Sequence, residues 1–579
     1  MKKHHLLLAL LALLVLAVPA AAQDIGPGEG GPIIWPNFGG DPTNLNPLLS
    51  SEGSSQDITN LIFPNFLKIN AETGNIDPGA PDQIVDTWEI SEDGLTYTFH
   101  LRDDYVWSDG TPVTSADVKY AYDAIASGEI DTTLGGYLSN VASLEAPDPQ
   151  TVVVTFNTVD CTALSSIRVI PPVPAHLFTE LFASFSDMNE AEFNLNPSVT
   201  SGEFNFLNFR SGEQVTLEAN QDFPDAPLGY VVPQGFIQRQ LANQTVIVDE
   251  FLAGNLTIID SVPEDRQAEL EALAANGDVQ LYSGPSSGWQ FFGFNVADPT
   301  NPQPGLDEEG NVIDQGHHPI FGDVRVRQAF ALSINHDDLN TGAFAGTGIP
   351  VASPVLPYSW AYNDALEPWP YDPEAAMALL DEAGFVDDDN DPSTPRVATE
   401  DALYAEPGTP LRFTLTTFSG NTSVDSSSIL MQDQLRRTGF QMDLEIIEFG
   451  SMIDKFYAQT FDAIMLFFGG FDSTNPDEQK DLWTALGDIP GSGFNVGSYN
   501  NPEVTALYDE ARSLPGCDTA ERKAIYDRIQ EILHDELPMY WVNTSVVPVV
   551  IQPDVENIDY IEGPGGLTRN ITAWAYLPR

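Results

Sequence analysis

The 579-residue chain is short of positive charge. Lysine and arginine together number 23 against 85 aspartates and glutamates, a formal net charge of −62, and only seven of the basic residues are lysines. A polyanion would be repelled, so nucleic acid and anionic membrane surfaces are excluded as partners. Cysteine is nearly absent: Cys161 and Cys517 form no CxxC pair, which rules out a zinc knuckle or a thioredoxin-type redox site. One disulfide between them is open in an oxidising compartment, two buried thiols being the alternative. Beyond residue 18 no apolar run reaches the roughly 20 residues of a membrane span; the longest, 463–468, reads as a buried strand. Catalytic signatures are missing too. No GxSxG elbow, HExxH, Walker loop or helix-opening GxGxxG occurs. Six histidines follow the amino-terminal segment, and the one adjacent pair, His317-His318, reads as a solvated loop pair. A carboxylate pair of glycosidase type stays open among so many acids but nothing indicates it, so an enzyme is not expected.

What is present points to large cores. Aromatics make up 10% of the chain, far above a disordered composition, and the length suits about three to five domain-sized units. An acidic, lysine-poor surface is that of a protein kept hydrated in high salt, and stability is expected to rise with salt. At the amino terminus Lys2 and Lys3 precede an apolar run at 6–18 and then Pro19-Ala20-Ala21-Ala22, the pattern of a secretory signal cleaved after Ala22. With no cysteine nearby no lipid anchor is expected, and the mature protein is expected to be soluble, in the periplasm or outside the cell.

Thereafter strand-like and helix-like patterns alternate, which predicts an α/β fold. Strands are expected at 96–99, 151–156, 246–248, 411–416 and 463–468. Helices announce themselves through caps. Thr114 and Asp117 form a capping box before Val118, Ala121, Tyr122 and Ile125. Asp372-Pro373-Glu374 opens a stripe of Ala376, Leu379, Leu380 and Ala383 that Gly384 can close, and Asn501-Pro502-Glu503 repeats the device before Val504, Leu507, Tyr508 and Ala511. Segments 298–318 and 386–402 look like polar insertions. In the second, Asp389, Asp391, Ser393 and Glu400 occupy positions 1, 3, 5 and 12 of an EF-hand-like loop, a possible structural calcium site and otherwise a solvated acidic loop. No other cofactor is expected.

Residues 85–118 carry a denser pattern: Trp88-Glu89-Ile90-Ser91-Glu92-Asp93-Gly94-Leu95-Thr96-Tyr97-Thr98-Phe99-His100-Leu101-Arg102, then Trp107-Ser108-Asp109-Gly110-Thr111-Pro112-Val113-Thr114 and Asp117-Val118. This resembles the signature of the family 5 extracellular solute-binding proteins, the oligopeptide, dipeptide and nickel receptors of ABC importers. The first loop at 41–47, the turn at 201–204, the segment 253–260, the helix start Phe321-Gly322-Asp323-Val324-Arg325-Val326-Arg327-Gln328-Ala329 and the helix at 371–385 are similar to that family in order. Arg325 and Arg327 read as solvated behind the Asp323 cap, or as braces of a lobe.

The resemblance implies a two-lobed type II periplasmic-binding-protein fold, a Venus flytrap with an extra α/β domain inserted in lobe I. Lobe I would comprise 23–66, 196–294 and 540–579, the extra domain 67–195, and lobe II 295–539. It implies a monomer that captures a peptide or related small solute in the interlobe cleft and delivers it to a membrane permease. An oligosaccharide-binding member, or a receptor that senses without transporting, would share these features. Asp472 is the expected partner of a ligand's α-ammonium, with Gly470 and Phe471 beside it. Trp289, Phe291, Asn295, Tyr540 and Trp541 lie where the family crosses between lobes and are secondary candidates for the cleft, core packing being the favoured reading for the aromatics. The family's arginines for a peptide carboxylate have no counterpart in Met465-Leu466-Phe467-Phe468, which argues against free short peptides.

Overall fold

A computed structural model describes residues 26–38, 40–70, 75–286, 288–389, 391, 394–469, 476–559 and 568–577. The proposed secretory signal therefore lies outside the described residues. None of the described helices is long and apolar enough to cross a membrane.

Three larger sheets organise the chain. In the first, Ile33–Asn37 runs parallel to Gly235–Gln240, which continues antiparallel to Gln214–Ala219 and then Phe204–Arg210. The second is an antiparallel sheet in the order Val85–Ile90, Thr96–Leu101, Thr151–Phe156, Val141–Asp148. Strand Thr151–Phe156 alternates buried Val152, Val154 and Phe156 with half-buried residues, the period of a sheet packed on one face. Helix Ser115–Ser127 covers it, opened by the expected capping box and closed by Gly128 at φ 68°.

The third sheet has eight strands. Its main path is Gln280–Pro285, Met539–Ile551, Trp289–Phe294, Ala463–Phe468, Arg412–Phe418, Gln441–Ile447. Strand Met539–Ile551 is the unusual member. Its first half pairs with Trp289–Phe294, its second with Gln280–Pro285 and Ile258–Ile259. It thereby passes from one hydrophobic core to another: Met539, Tyr540, Trp541 and Val542 belong to a core built from 289–542, whereas Val549 and Ile551 belong to one built from 33–258 and 549–574. The link between Pro285 and Trp289 makes the same crossing. Gly288 sits there because a Cβ would lie 1.8 Å from the Phe468 carbonyl oxygen.

Both proline-led helices form as expected. Asp372 caps Pro373–Glu382 by accepting from Ala375 N at 2.9 Å, and Asn501 caps Pro502–Ser513. Two readings are corrected, the second in part. The run Val246-Ile247-Val248, β-branched and read as a strand, lies in helix Gln244–Leu252; Asn243 caps it, and burial of Ile247, Val248 and Phe251 on one face overrides local propensity. His318, read as solvated, is buried, its Nδ1 accepting from Ile320 N and Phe321 N, while His317 is exposed as expected and stacks on Tyr404. Each of the two readings given for the arginine pair holds for one member: Arg325 stays beside Asp323, and Arg327 is buried and donates to the carbonyls of Phe321, Glu536 and Leu537, a brace at the end of helix Thr519–Glu536.

Candidate functional site

Helix Gly53–Ile62 shows how the site is assembled. Its buried face carries Ser55, Ile58, Thr59, Leu61 and Ile62. The opposite stripe, Gly53, Gln56, Asp57 and Asn60, follows the i, i+3, i+4, i+7 spacing and opens into a cavity of about 690 Å³. Glu52 ends that stripe as N-cap, accepting from Ser55 N at 2.8 Å and from Ser54 Oγ at 2.7 Å.

The facing wall comes from the other core. Helix Phe449–Ala458 presents Phe449, Ile453, Phe456 and Tyr457, at i, i+4, i+7 and i+8. Strand Ala463–Phe468 adds Phe467 and Phe468, and Phe494 closes on Phe468 at 6.1 Å between ring centroids. At one end Arg168 reaches across to Glu478 and pairs with it. The helix face is thus polar and acidic and the facing wall aromatic, with Phe63, Phe66 and Leu67 adding apolar surface beside the helix, and the volume falls within the range of small-molecule sites.

The electrostatics are one-sided. Among the described residues Glu52, Asp57 and Glu478 line the cavity, against Arg168 as the one lining cation. Glu478 neutralises Arg168 and Glu52 is committed to its cap, while Asp57 faces the cavity without a cationic partner among the described residues. The Asp57 carboxylate is wetted by the cavity yet surrounded by protein. That burial, together with the like charges of Asp260 and Glu52, pushes its pKa up to about 7. Asp260 is itself pushed up to about 6 by burial, against the Trp35 indole, which donates to it at 3.1 Å. No histidine, cysteine or lysine occurs among the described lining residues. The arrangement is built to hold a ligand through an anionic point and an aromatic wall.

Of the residues expected at the cleft, Gly470, Phe471 and Asp472 lie outside the described residues; Gly469, just before them, lines the cavity. Trp289, Phe291, Asn295, Tyr540 and Trp541 are all buried, and none of them lines it. Their strands lie inside the eight-stranded sheet and are covered on both faces. Phe291 stacks on Phe468, Trp541 packs edge-on to Trp483, the Tyr540 hydroxyl meets His336 Nε2 at 2.7 Å, and Asn295 donates to the Gln459 carbonyl at 3.0 Å. In the acidic loop the Asp389 carboxylate accepts from Asp391 N and the Thr394 hydroxyl, turn chemistry, and among the described residues no three metal-ligating side chains gather; Ser393 is outside them.

Sequence reading missed Asp57, Arg168, Glu478 and the aromatic stripe. On helix Gly53–Ile62 a polar stripe opposite an apolar one reads as an ordinary solvated face.

Residues 81–491 match the family model for bacterial extracellular solute-binding proteins, family 5. The chain belongs to that family. The oligopeptide-binding protein AppA of Bacillus subtilis is 23% identical over 534 residues, 90% of this chain and 88% of AppA. The structure of AppA in complex with a nonapeptide superposes with a TM-score of 0.81 at 21% identity, covering 95% of this chain and all of that one. NikZ of Campylobacter jejuni, solved with Ni(L-His), superposes at 0.74 and 21% identity, covering 94% and 99%. The two-lobed type II binding-protein fold expected from the sequence is therefore the observed one.

Proposed function

We propose that this family 5 binding protein is the exported receptor of an ABC importer, that it captures peptides in the 690 Å³ cavity between its two cores, and that it hands them to a membrane permease. It acts by binding and carries out no catalysis. The observation that carries this reading is the pair of unlike walls, one from each core. A ligand touching both favours the state in which they meet, which is how hinge closure couples to binding. Relatives named as peptide-binding proteins over most of their length support the ligand class.

Within that class the cavity favours ligands that carry a positive charge. Among the described residues Asp57 offers an anion with no cation of its own, whereas Arg168, the lining cation among them, is already paired. Asp472, three positions beyond the cavity-lining Gly469, is the second proposed acceptor of an ammonium group. A charge-assisted hydrogen bond of this kind contributes about 1.5–3 kcal/mol.

The test is mass spectrometry of small molecules released when the purified mature protein is unfolded, followed by calorimetric titration of the peptide found into emptied protein whose Cys161–Cys517 bond has been reduced. Peptides bearing a free amino terminus or a basic side chain are expected, and Asp57→Asn and Asp472→Asn should each weaken binding about tenfold or more. A released fraction of neutral sugars, with no binding of a random peptide library, would overturn the reading.

A further inference from the structure

The single disulfide joins the two larger cores. Cys161 directly precedes helix Ala163–Arg168, whose Ala163 and Ile167 belong to the core of residues 33–258 and 549–574. Cys517 lies between helices Pro502–Ser513 and Thr519–Glu536, whose Val504, Tyr508, Tyr526 and Ile529 belong to the core of residues 289–542. Non-covalent contacts reinforce the same junction. Cys161 N donates to the Arg512 carbonyl at 2.7 Å, and the Arg512 guanidinium holds Asp160 at 2.6 Å and Ser166 Oγ at 3.2 Å. Arg168, at the end of the helix that Cys161 leads into, pairs with Glu478 across the cavity.

The position of this junction matters. The chain crosses between the cores at Pro285–Trp289 and along Met539–Ile551, and the cavity reaches that side through Phe468, beside Gly288. At its other side the cavity is bounded by Tyr137, Arg168 and Glu478. A small polar pocket shares Tyr137 and Glu478 with it and continues to Thr162, Ser166 and Arg512, next to the disulfide. The cavity therefore lies between a strand hinge and a covalent tie.

We propose that Cys161–Cys517 is a redox-controlled latch: oxidised, it holds the cleft closed around its contents, and reduction frees the two lobes to part. The inference rests on the receptor reading of the cleft. Its geometry follows from reach. The Cα atoms are 5.5 Å apart, and a disulfide spans no more than about 7 Å, so the rim can part by roughly 1.5 Å while the bond is intact. Passage of a peptide needs several times that. Both cysteines are half-buried rather than enclosed, so a thiol can reach the bond. The step balances as thiol–disulfide exchange. A dithiol reductant, a small molecule or an exported oxidoreductase, attacks one sulfur and forms a mixed disulfide. Its second thiol then displaces that sulfur, leaving Cys161 and Cys517 as thiols and the reductant as a disulfide, two electrons and two protons having been transferred. An oxidising exported disulfide donor reverses it. Once the bond is cut, the Asp160–Arg512 and Arg168–Glu478 pairs are the remaining, breakable clasp.

The experiment compares the full mature protein untreated, reduced with dithiothreitol, and as the Cys161→Ser/Cys517→Ser double variant. Small-angle X-ray scattering reports lobe separation with no ligand needed, and mass spectrometry of the dialysate follows release of co-purified small molecules. Untreated protein should show no free thiol by dithionitrobenzoate titration and a compact profile. Reduction and the double variant should each enlarge the radius of gyration and speed release at least tenfold, with dithiothreitol adding nothing to the double variant. Identical scattering profiles in all three states, or two free thiols in untreated protein, would overturn the latch. Expansion on reduction in a protein that binds no peptide in either state would keep the latch and remove the receptor reading, so the two failures are distinct.

Discussion

Replacing Arg327 by methionine tests what anchors the hinge strand. The Arg327 side chain is buried at 5% exposure, and burial pulls its pKa down to about 10, leaving it charged at neutral pH. Its Nε donates to the carbonyls of Glu536 and Leu537 at 3.0 and 2.9 Å, its Nη2 to Glu536 at 2.6 Å, and its Nη1 to Phe321. Glu536 ends helix Thr519–Glu536, and the strand that passes between the cores begins at Met539. The guanidinium therefore satisfies helix-end carbonyls that have no partner within the helix, at the negative pole of its dipole. Methionine keeps most of the stem's volume and leaves four carbonyls, those of Phe321, Gly322, Glu536 and Leu537, without this donor. Each buried unsatisfied group costs about 1–3 kcal/mol, and partial hydration of the helix end offsets some of that. The expected loss is about 3–5 kcal/mol. Arg325→Met is the control: its ion pair with Asp323 is 31% exposed on the arginine side and contributes about 1 kcal/mol or less. Urea unfolding followed by tryptophan fluorescence measures both. If the two variants lose the same small amount of stability, the anchoring argument is wrong.

Affinity of the reduced protein for a cationic peptide should rise about tenfold or more between pH 5.5 and 8, because the Asp57 carboxyl, pushed up to about 7, ionises across that window; calorimetry on reduced protein at the two pH values checks it, and Asp57→Asn should flatten the profile. For the ligand-free protein the sign is opposite: a raised carboxylate pKa contributes stability present below about pH 4 and lost as pH rises through 7, so Asp57→Asn should gain stability relative to wild type at pH 8 and not at pH 4. Trp289→Ala should cost about 3–5 kcal/mol as a core truncation. Phe449→Ala, half-buried on the cavity wall, should cost less than about 2 kcal/mol in unfolding experiments but weaken ligand binding measured by calorimetry.

Much of the architecture was legible in one dimension because its signals are local. A capping box at Thr114 and Asp117, asparagine or aspartate before proline at 372 and 501, and period-two burial in Thr151–Phe156 each depend on neighbours within a turn or a strand, and each formed as read. The motifs around 88–118 were enough to indicate the family and hence the two-lobed fold. Where local preference met a tertiary demand, the tertiary demand won. Val246-Ile247-Val248 became helical because one face could be buried there, and Arg327 went inside because a helix end needed a donor.

The sequence by itself determined the charge, the elements and the fold, since these follow from composition and from spacings of two to four residues. The tertiary structure alone decided the site. Asp57 and Phe449 are 392 positions apart in sequence and line one cavity because separate cores bring their helices face to face. Trp289, Tyr540 and Trp541 went to the core because their strands fell inside a sheet covered on both faces. Cys161 and Cys517, 356 positions apart, form a bond because elements of two separate cores meet there. Contacts of that range carry no periodicity, so no pattern along the chain could have announced them.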